Sequence, residues 1–114
     1  MSDCLFCAVA EGKIKANIVY QDDVVVAFKD INPQAPVHLL IVPRRHVAGV
    51  LDLKAADGAV IGHIFEVAGR LAREQGIADG GFRVVVNSGA DAGQSVFHLH
   101  YHLLGGRRLT WPPG

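Results

Sequence analysis

Residues 97–104 read Phe97-His98-Leu99-His100-Tyr101-His102-Leu103-Leu104, so histidine alternates with apolar residues. Successive side chains of a β-strand point to opposite faces, and the alternation therefore predicts a strand with three imidazoles on one face. We predict that this strand runs from Val96 to Leu104 and ends at Gly105-Gly106. The opposite face is apolar and is expected to be core: Phe97, Leu99, Tyr101 and Leu103.

Three histidines in register suggest two kinds of chemistry. Imidazoles at i and i+2 can chelate zinc, and a third ligand could complete an open catalytic site. Histidine also titrates near neutrality and can attack phosphorus directly. No Asp or Glu follows Asp91, although a catalytic cation in phosphate chemistry normally brings carboxylates. The preceding loop, Gly89 to Ser95, has small residues whose N–H groups can hold an anion. The sequence thus favours phosphorus chemistry by histidine.

The rest of the chain predicts further strands and a short helix. Cys4 to Ala10 is expected to form one or two helical turns, and Asn17–Tyr20 with Val24–Phe28 a hairpin. Val37–Val42 and Phe82–Asn87 complete a sheet of five strands. Strands, one long helix and again strands favour an α+β fold with a mostly antiparallel sheet. We treat residues 1–114 as a single domain, as the length suggests.

The long helix is predicted over about Ala55–Gln75, with Gly76 as its C-cap. Its apolar face is wide enough to predict burial against two surfaces, the sheet and a second subunit. The face consists of one stripe and the residues beside it: Val60, Ile64, Val67 and Leu71, with Ile61, Phe65, Ala68 and Ala72. His63 lies between these stripes and is expected to be a surface or interface residue without a catalytic role.

Composition limits the partners. Eleven basic and eleven acidic residues cancel, and the adjacent basic pairs Arg44-Arg45 and Arg107-Arg108 are weak evidence for a polyanion. A nucleic-acid partner is therefore not expected, and a phosphate-bearing ligand should be small. No signal peptide and no apolar run of about 18 residues occur, so we expect a cytoplasmic protein without a membrane partner.

Cys4 and Cys7 form a C-x-x-C pair, the second feature with chemical content. Such a pair by itself is compatible with a redox motif, half of a zinc site, or two buried thiols. A thioredoxin-like role needs a βαβ context, which the predicted element order lacks.

These segments resemble the histidine triad (HIT) hydrolases, whose signature is His-φ-His-φ-His-φ-φ with φ apolar, as at residues 98–104. Residues 30–38, 84–87 and 93–95 resemble the nucleotide and phosphate loops of that family. The ending, Gly105-Gly106-Arg107 through Trp111-Pro112-Pro113-Gly114, is similar to the Hint branch, the purine nucleoside phosphoramidases. The resemblance implies hydrolysis of an AMP-amine or AMP-lysine compound to the nucleoside monophosphate.

The resemblance also implies roles for individual residues. His100 would attack the α-phosphorus and form a nucleotidyl-histidine, while His102 and His38 would bind the phosphoryl oxygens. His98 would hold the His100 ring through its backbone carbonyl, and Ser95 would lie near the leaving group. The implied nucleotide contacts are Asp30 with the ribose, Ile31 and Phe28 with the purine, Asn87, Gly93, Gln94 and Ser95 at the phosphate, and Trp111 in a partner's site.

The resemblance further implies a structural zinc bound by Cys4, Cys7, His46 and His98, with no cofactor required for catalysis. It implies a homodimer that joins two sheets. Two other functions remain open at this point: hydrolysis of dinucleoside polyphosphates, against which the Trp-Pro-Pro-Gly ending argues, and a non-catalytic nucleotide sensor or scaffold.

Overall fold

The computed structural model describes residues 4–114 and contains two α-helices and five strands within that range. The helices are α1 (Leu5–Ala10) and α2 (Gly58–Glu74). The strands are β1 (Ile18–Gln21), β2 (Val25–Lys29), β3 (Val37–Pro43), β4 (Phe82–Val85) and β5 (Tyr101–Gly105). The predicted α+β class is confirmed, including the short N-terminal helix, the hairpin and the one long helix.

The five strands form one sheet in the order β1-β2-β3-β5-β4. All four strand pairs are antiparallel. Because β5 lies between β3 and β4, the last strand of the chain is central in the sheet. His102 is paired with Leu40, and His38 with Leu104, so the two histidines are diagonal neighbours on one face.

The sheet separates two apolar clusters. On one face α2 packs over Leu39, Ile41, Leu103 and the other strand residues that point toward it. On the opposite face α1 packs Phe6 and Val9 against Val26, Phe28, Leu40 and Val42. The histidines of β3 and β5 share this second face, beside α1.

Helix α2 begins at Gly58, three residues later than predicted, because residues 55–57 form a separate 3₁₀ turn. It ends at Glu74, and the predicted capping glycine Gly76 has φ +75°, the left-handed conformation that glycine adopts without strain. The predicted stripe is largely buried: Ile64, Val67, Ala68, Leu71 and Ala72. Phe65, however, is 49% exposed, so the chain does not cover the whole apolar face.

The predicted strand Val96–Leu104 is wrong in its first half, since β5 begins only at Tyr101. The neighbouring strand β3 ends at Pro43, which has no N–H group to extend the ladder, and whose carbonyl accepts a hydrogen bond from the ring of His98. Phe97 consequently lies outside the sheet and is 59% exposed, contrary to its predicted place in the core. Leu99, Tyr101 and Leu103 are buried as predicted. Likewise β4 ends at Val85, before Asn87.

His63 connects α2 to the β1–β2 hairpin. Its Nε2 lies 2.6 Å from Asp22 Oδ2, which also accepts a hydrogen bond from the Tyr20 hydroxyl at 2.7 Å. The backbone N–H groups of Val24 and Val25 donate to the other oxygen of Asp22. His63 is thus a surface residue, as predicted, with a specific partner.

Among residues 4–114, no helix is both long enough and apolar enough to span a bilayer.

Candidate active site

His100 lies immediately before β5 and is buried, with 7% of its surface exposed. Its Nδ1 is 2.7 Å from the backbone carbonyl oxygen of His98. A carbonyl only accepts hydrogen bonds, so Nδ1 carries the proton and Nε2 keeps its lone pair. The His100 ring therefore has one defined orientation and one free nucleophilic nitrogen.

His38 and His102 form a hydrogen-bonded pair beside His100. The N–H of Gln34 donates to His38 Nδ1 at 3.0 Å, which places the proton of a neutral His38 on Nε2. That Nε2 lies 2.9 Å from His102 Nδ1 and 3.3 Å from Asp30 Oδ2. With Nδ1 of His102 accepting, its Nε2 carries a proton that can be donated to a ligand oxygen.

Burial favours the neutral form of His38 and His102. Burial, together with smaller contributions from His100 and His38, lowers the pKa of His102 to about 4, against an opposite effect of Asp30. Burial also lowers the pKa of His38, partly offset by Asp30. A pair of hydrogen-bonded histidines titrates jointly, so both values belong to the cluster.

The loop between β4 and β5 has the shape of an anion-binding turn. Gly89 and Gly93 have φ near +88° and +89°, and a 3₁₀ turn lies between them. Gln94 closes this loop: its side chain accepts from Gly89 N–H and donates to the carbonyls of Ala48 and Val96. The backbone N–H of Gln94 also donates to the Gly89 carbonyl. Gln94, which was predicted to contact nucleotide, therefore shapes the loop.

The other predicted nucleotide residues differ in their exposure. Ile31 is fully exposed, whereas Phe28 is buried and packs edge-on against Phe6 at 5.5 Å between ring centroids. Asp30 accepts a hydrogen bond from Asn32 N–H at 2.8 Å. Gly93 and Ser95 are exposed and Asn87 is half-buried. Within residues 4–114, neither Ser95 nor Asn87 forms a side-chain hydrogen bond with the histidines. Trp111 is 80% exposed.

The four predicted metal ligands meet on the other side of His98. Its Nδ1 lies 3.3 Å from Cys4 Sγ, 3.5 Å from Cys7 Sγ and 3.2 Å from His46 Nδ1. Cys7 Sγ lies 3.4 Å from His46 Nδ1. Four ligands of a tetrahedral Zn²⁺ are separated by roughly 3.3–3.8 Å, given Zn–S of about 2.3 Å and Zn–N of about 2.0–2.1 Å. The donor set and its spacing thus fit zinc.

His98 connects the two clusters. Its Nε2–H donates to the Pro43 carbonyl at 2.8 Å, which leaves the Nδ1 lone pair facing the sulfur atoms. Burial lowers its pKa, with a partial offset by the Pro43 carbonyl. Burial and the adjacent Cys4 raise the pKa of Cys7 to about 11, so without a metal this thiol stays protonated at neutral pH.

Sequence reasoning missed three groups that build the site. Phe6 packs edge-on against the rings of His98 and His100, with centroid distances of 6.1 and 5.0 Å. The Pro43 carbonyl and the Gln34 N–H fix the tautomers of His98 and His38. Hydrogen bonds of main-chain groups cannot be predicted from residue type. The only signal in the sequence for Phe6 is its position between the two cysteines.

Comparison with known proteins gives a consistent result. The profile of the HIT domain matches residues 11–109. An uncharacterized HIT-like protein of Synechocystis is 47% identical over 112 residues, covering 98% of this chain and 97% of the relative. A crystal structure of a HIT family hydrolase from Legionella pneumophila has a TM-score of 0.96 at 47% identity, covering 97% of this chain and 99% of the other. A histidine triad protein from Clostridium difficile has a TM-score of 0.93 at 44% identity, with 96% of each chain covered. Family profile, sequence and fold agree, and the chain belongs to the HIT domain family.

Proposed function

We propose that this protein is a nucleotide hydrolase that cleaves purine nucleoside phosphoramidates to the nucleoside monophosphate. The observation that carries the proposal is the hydrogen bond of 2.7 Å between His100 Nδ1 and the His98 carbonyl, because it leaves His100 Nε2 free to attack. The similarity to a HIT family hydrolase supports hydrolysis. The Hint-like ending, from Gly105 to Gly114, favours the P–N bond as the one cleaved.

In the first step His100 Nε2 forms a bond to the α-phosphorus while the P–N bond to the leaving amine breaks. The amine must gain a proton, which a neighbouring imidazolium or water supplies. Neutral donors are available for the phosphoryl oxygens: His102 Nε2–H and the N–H groups of Ala90 and Asp91, which begin the 3₁₀ turn. The negative charge of a phosphoryl group placed there favours protonation of the adjacent histidines.

In the second step water attacks the phosphorus and loses a proton to solvent or a neighbouring imidazole, while the P–Nε2 bond breaks and its electron pair returns His100 to its neutral form. The covalent route replaces a poorly positioned water in the first displacement by a fixed imidazole. The exposed Ile31 is available to pack against the purine, and Asp30, which already faces His38, to bind the ribose hydroxyls. Ser95 and Trp111 are proposed for the leaving-group side, Trp111 from a partner subunit.

The test compares wild type with His100→Ala on an adenosine phosphoramidate. We expect the variant to lose at least about a thousandfold in kcat, because the covalent route is removed. His63→Ala, which alters a histidine outside the cluster, is the control and should retain activity. Equal rates for wild type and His100→Ala would reject the nucleophile. Preferential cleavage of diadenosine polyphosphate over the phosphoramidate would instead indicate a dinucleoside polyphosphate hydrolase. Binding of AMP without turnover of either substrate would indicate a nucleotide sensor.

We further propose that Cys4, Cys7, His46 and His98 bind a structural zinc. When bound, the metal would supply a crosslink between the N-terminus and the segment that holds His100, and no part in the chemistry. Support comes from the ligand separations of 3.2–3.5 Å and from the orientation of His98 Nδ1.

Elemental analysis of protein purified without chelator should give about one zinc per chain, and Cys4→Ser should reduce it below half. The melting temperature should fall in parallel, because a structural zinc contributes folding free energy. The zinc proposal is contradicted if the wild-type protein contains only background zinc and added zinc does not change its melting temperature. Cys4 and Cys7 would then be core thiols without a metal.

A further inference from the structure

The loop between β2 and β3, residues 30–36, fixes the tautomer of His38 through one main-chain group. The backbone N–H of Gln34 donates to His38 Nδ1 at 3.0 Å, and His38 Nε2 lies 2.9 Å from His102 Nδ1. The N–H that His102 can offer to a phosphoryl oxygen therefore depends on where the Gln34 N–H points. The 30–36 loop thus controls the chemistry of two imidazoles.

This loop has little to stiffen it. Residues 31–34 and Pro36 are exposed, and the loop belongs to no helix or strand. Pro33 and Pro36 have no N–H group with which to donate a hydrogen bond. Two further hydrogen bonds, from the Asn32 N–H to the Asp30 side chain and from the Gln34 side chain to the Asn32 carbonyl, join residues of the loop to one another. They shape the loop but do not attach it to the rest of the molecule.

Arg107, in the segment that follows β5, provides an attachment. Its Nε donates to the Gln34 carbonyl at 3.0 Å, and its Nη1 donates to the Arg108 carbonyl at 2.9 Å, which orients the guanidinium. Among residues 4–114, Arg107 is the only side chain outside residues 30–38 that forms a hydrogen bond with residues 31–36. Gln34 is thus held on both sides of its Cα, by Arg107 at its carbonyl and by His38 at its N–H.

A close backbone contact brings Arg107 to the loop. Gly106 has φ +90°, and a Cβ at this position would lie 3.0 Å from Pro36 Cβ and 3.3 Å from Pro36 Cγ. Any other residue at 106 would therefore strain the backbone and push Pro36 away. The glycine allows the end of β5 to pass against the loop, so the side chain of the next residue, Arg107, reaches Gln34.

We propose that Arg107 is a positioning residue for the His38–His102 pair, acting through the main chain of Gln34. With the Gln34 N–H directed at Nδ1, the proton of neutral His38 stays on Nε2 and is donated to His102 Nδ1. If Gln34 moves, the hydrogen bond between the rings can reverse, with His102 Nδ1–H donating to His38 Nε2. His102 Nε2 would then present a lone pair to the phosphoryl oxygens, which repels them. The effect on turnover rests on the proposed function, whereas the tautomers are a property of the free protein.

The test compares wild type with Arg107→Met by NMR of the ¹⁵N-labelled histidine rings, at neutral pH and without substrate. Methionine keeps a long unbranched side chain and removes every N–H donor. We expect the wild-type rings of His38 and His102 to carry their protons on Nε2 alone, and those of the variant to show a mixture of both tautomers. The kcat on the adenosine phosphoramidate should fall about tenfold, because a hydrogen bond with a charged donor is lost.

Arg108→Met is the matched control, since it removes the same charge from the same segment. The Arg108 guanidinium makes no hydrogen bond within residues 4–114, so both tautomers and kcat should be unchanged. Arg107→Lys keeps one charged donor and should recover part of the lost kcat together with the wild-type tautomers.

The proposal is overturned if Arg107→Met keeps the wild-type tautomers, or if Arg108→Met changes them equally. A raised KM with unchanged tautomers would also overturn it, because Arg107 would then contact the nucleotide directly. A wild-type protein that does not turn over the phosphoramidate would contradict the proposed function, while the tautomers would still decide the role of Arg107.

Discussion

At the scale of the residue, the protonation of single nitrogens decides what the cluster can do. Three histidines are each fixed by one main-chain group: His100 by the His98 carbonyl, His98 by the Pro43 carbonyl and His38 by the Gln34 N–H, and His38 in turn fixes His102. The result is one ring with a free lone pair, one ring that offers a proton and one ring turned toward two thiols. Three identical side chains thereby acquire three different chemical roles.

Burial of neutral His102 predicts a stability that depends on pH. Its pKa is lowered to about 4 in the folded state, whereas an unfolded histidine titrates near 6.5. The unfolded chain therefore binds more protons between these values, and stability is present above about pH 6.5 and lost as the pH falls toward 4. We expect unfolding free energy to fall by roughly 1–2 kcal/mol between pH 7 and 5 through this residue.

Urea unfolding at pH 7 and pH 5 measures this effect, at equal zinc content. His102→Asn should remove most of the difference between the two pH values. Should the variant keep the full wild-type difference, the loss of stability must come from other groups.

At the scale of the element, α2 is attached to the sheet by its apolar face and, at one edge, by the contact between His63 and Asp22. Hydrogen bonds with Asp22 and Glu66 raise the pKa of His63 against the effect of desolvation. Hydrogen bonds with His63, the Val24 and Val25 N–H groups and Tyr20 hold the pKa of Asp22 well below its usual value, although desolvation opposes them. The helix and the hairpin are therefore joined by an ion pair, which exists at pH values where Asp22 is ionised and His63 is protonated.

His63 changes the stability with pH in the direction opposite to that of His102. A histidine with a raised pKa stabilises the fold below its unfolded pKa, and the stabilisation is lost as the pH rises through the folded pKa. His63→Gln should therefore cost up to about 1 kcal/mol near pH 5.5 and little above pH 8. Thermal unfolding of both proteins across this range gives the comparison. An equal loss at both pH values would show that His63 acts by packing alone.

At the scale of the whole molecule, the exposed apolar surface predicts a homodimer. Phe65 on α2 is 49% exposed, and the edge strand β4 begins with Phe82, 40% exposed. An unpaired edge strand beside an uncovered apolar helix face is a typical surface for association. Closed twofold assembly is the commonest form.

Light scattering after size exclusion should give twice the 12.2 kDa of one chain. Phe65→Glu should shift the protein toward the monomer, because it places a charge in the interface. Leu51→Glu, at a residue that is 93% exposed in a different element, is the control and should not. A wild-type protein of about 12 kDa at micromolar concentration contradicts the dimer.

Local patterns in the sequence were sufficient for the element types. The helical period over 58–74 and the β-prone runs lie where they were predicted, because each depends on neighbouring side chains that alternate or repeat. The motif at residues 98–104 likewise identified the family, since it needs only residue identity and spacing. Strand ends were less accurate, because they depend on the partner strand: β5 starts late owing to Pro43, which lies 58 residues earlier than Tyr101 in the sequence.

Only the tertiary structure decided which groups each histidine ring contacts. In the sequence His98, His100 and His102 form one row, but folding turns His98 toward Cys4, Cys7 and His46 and brings His38 against His102. The physical reason is that tautomers, burial and local charge depend on atoms contributed by distant segments, whereas the motif itself depends only on the order of residues along one strand.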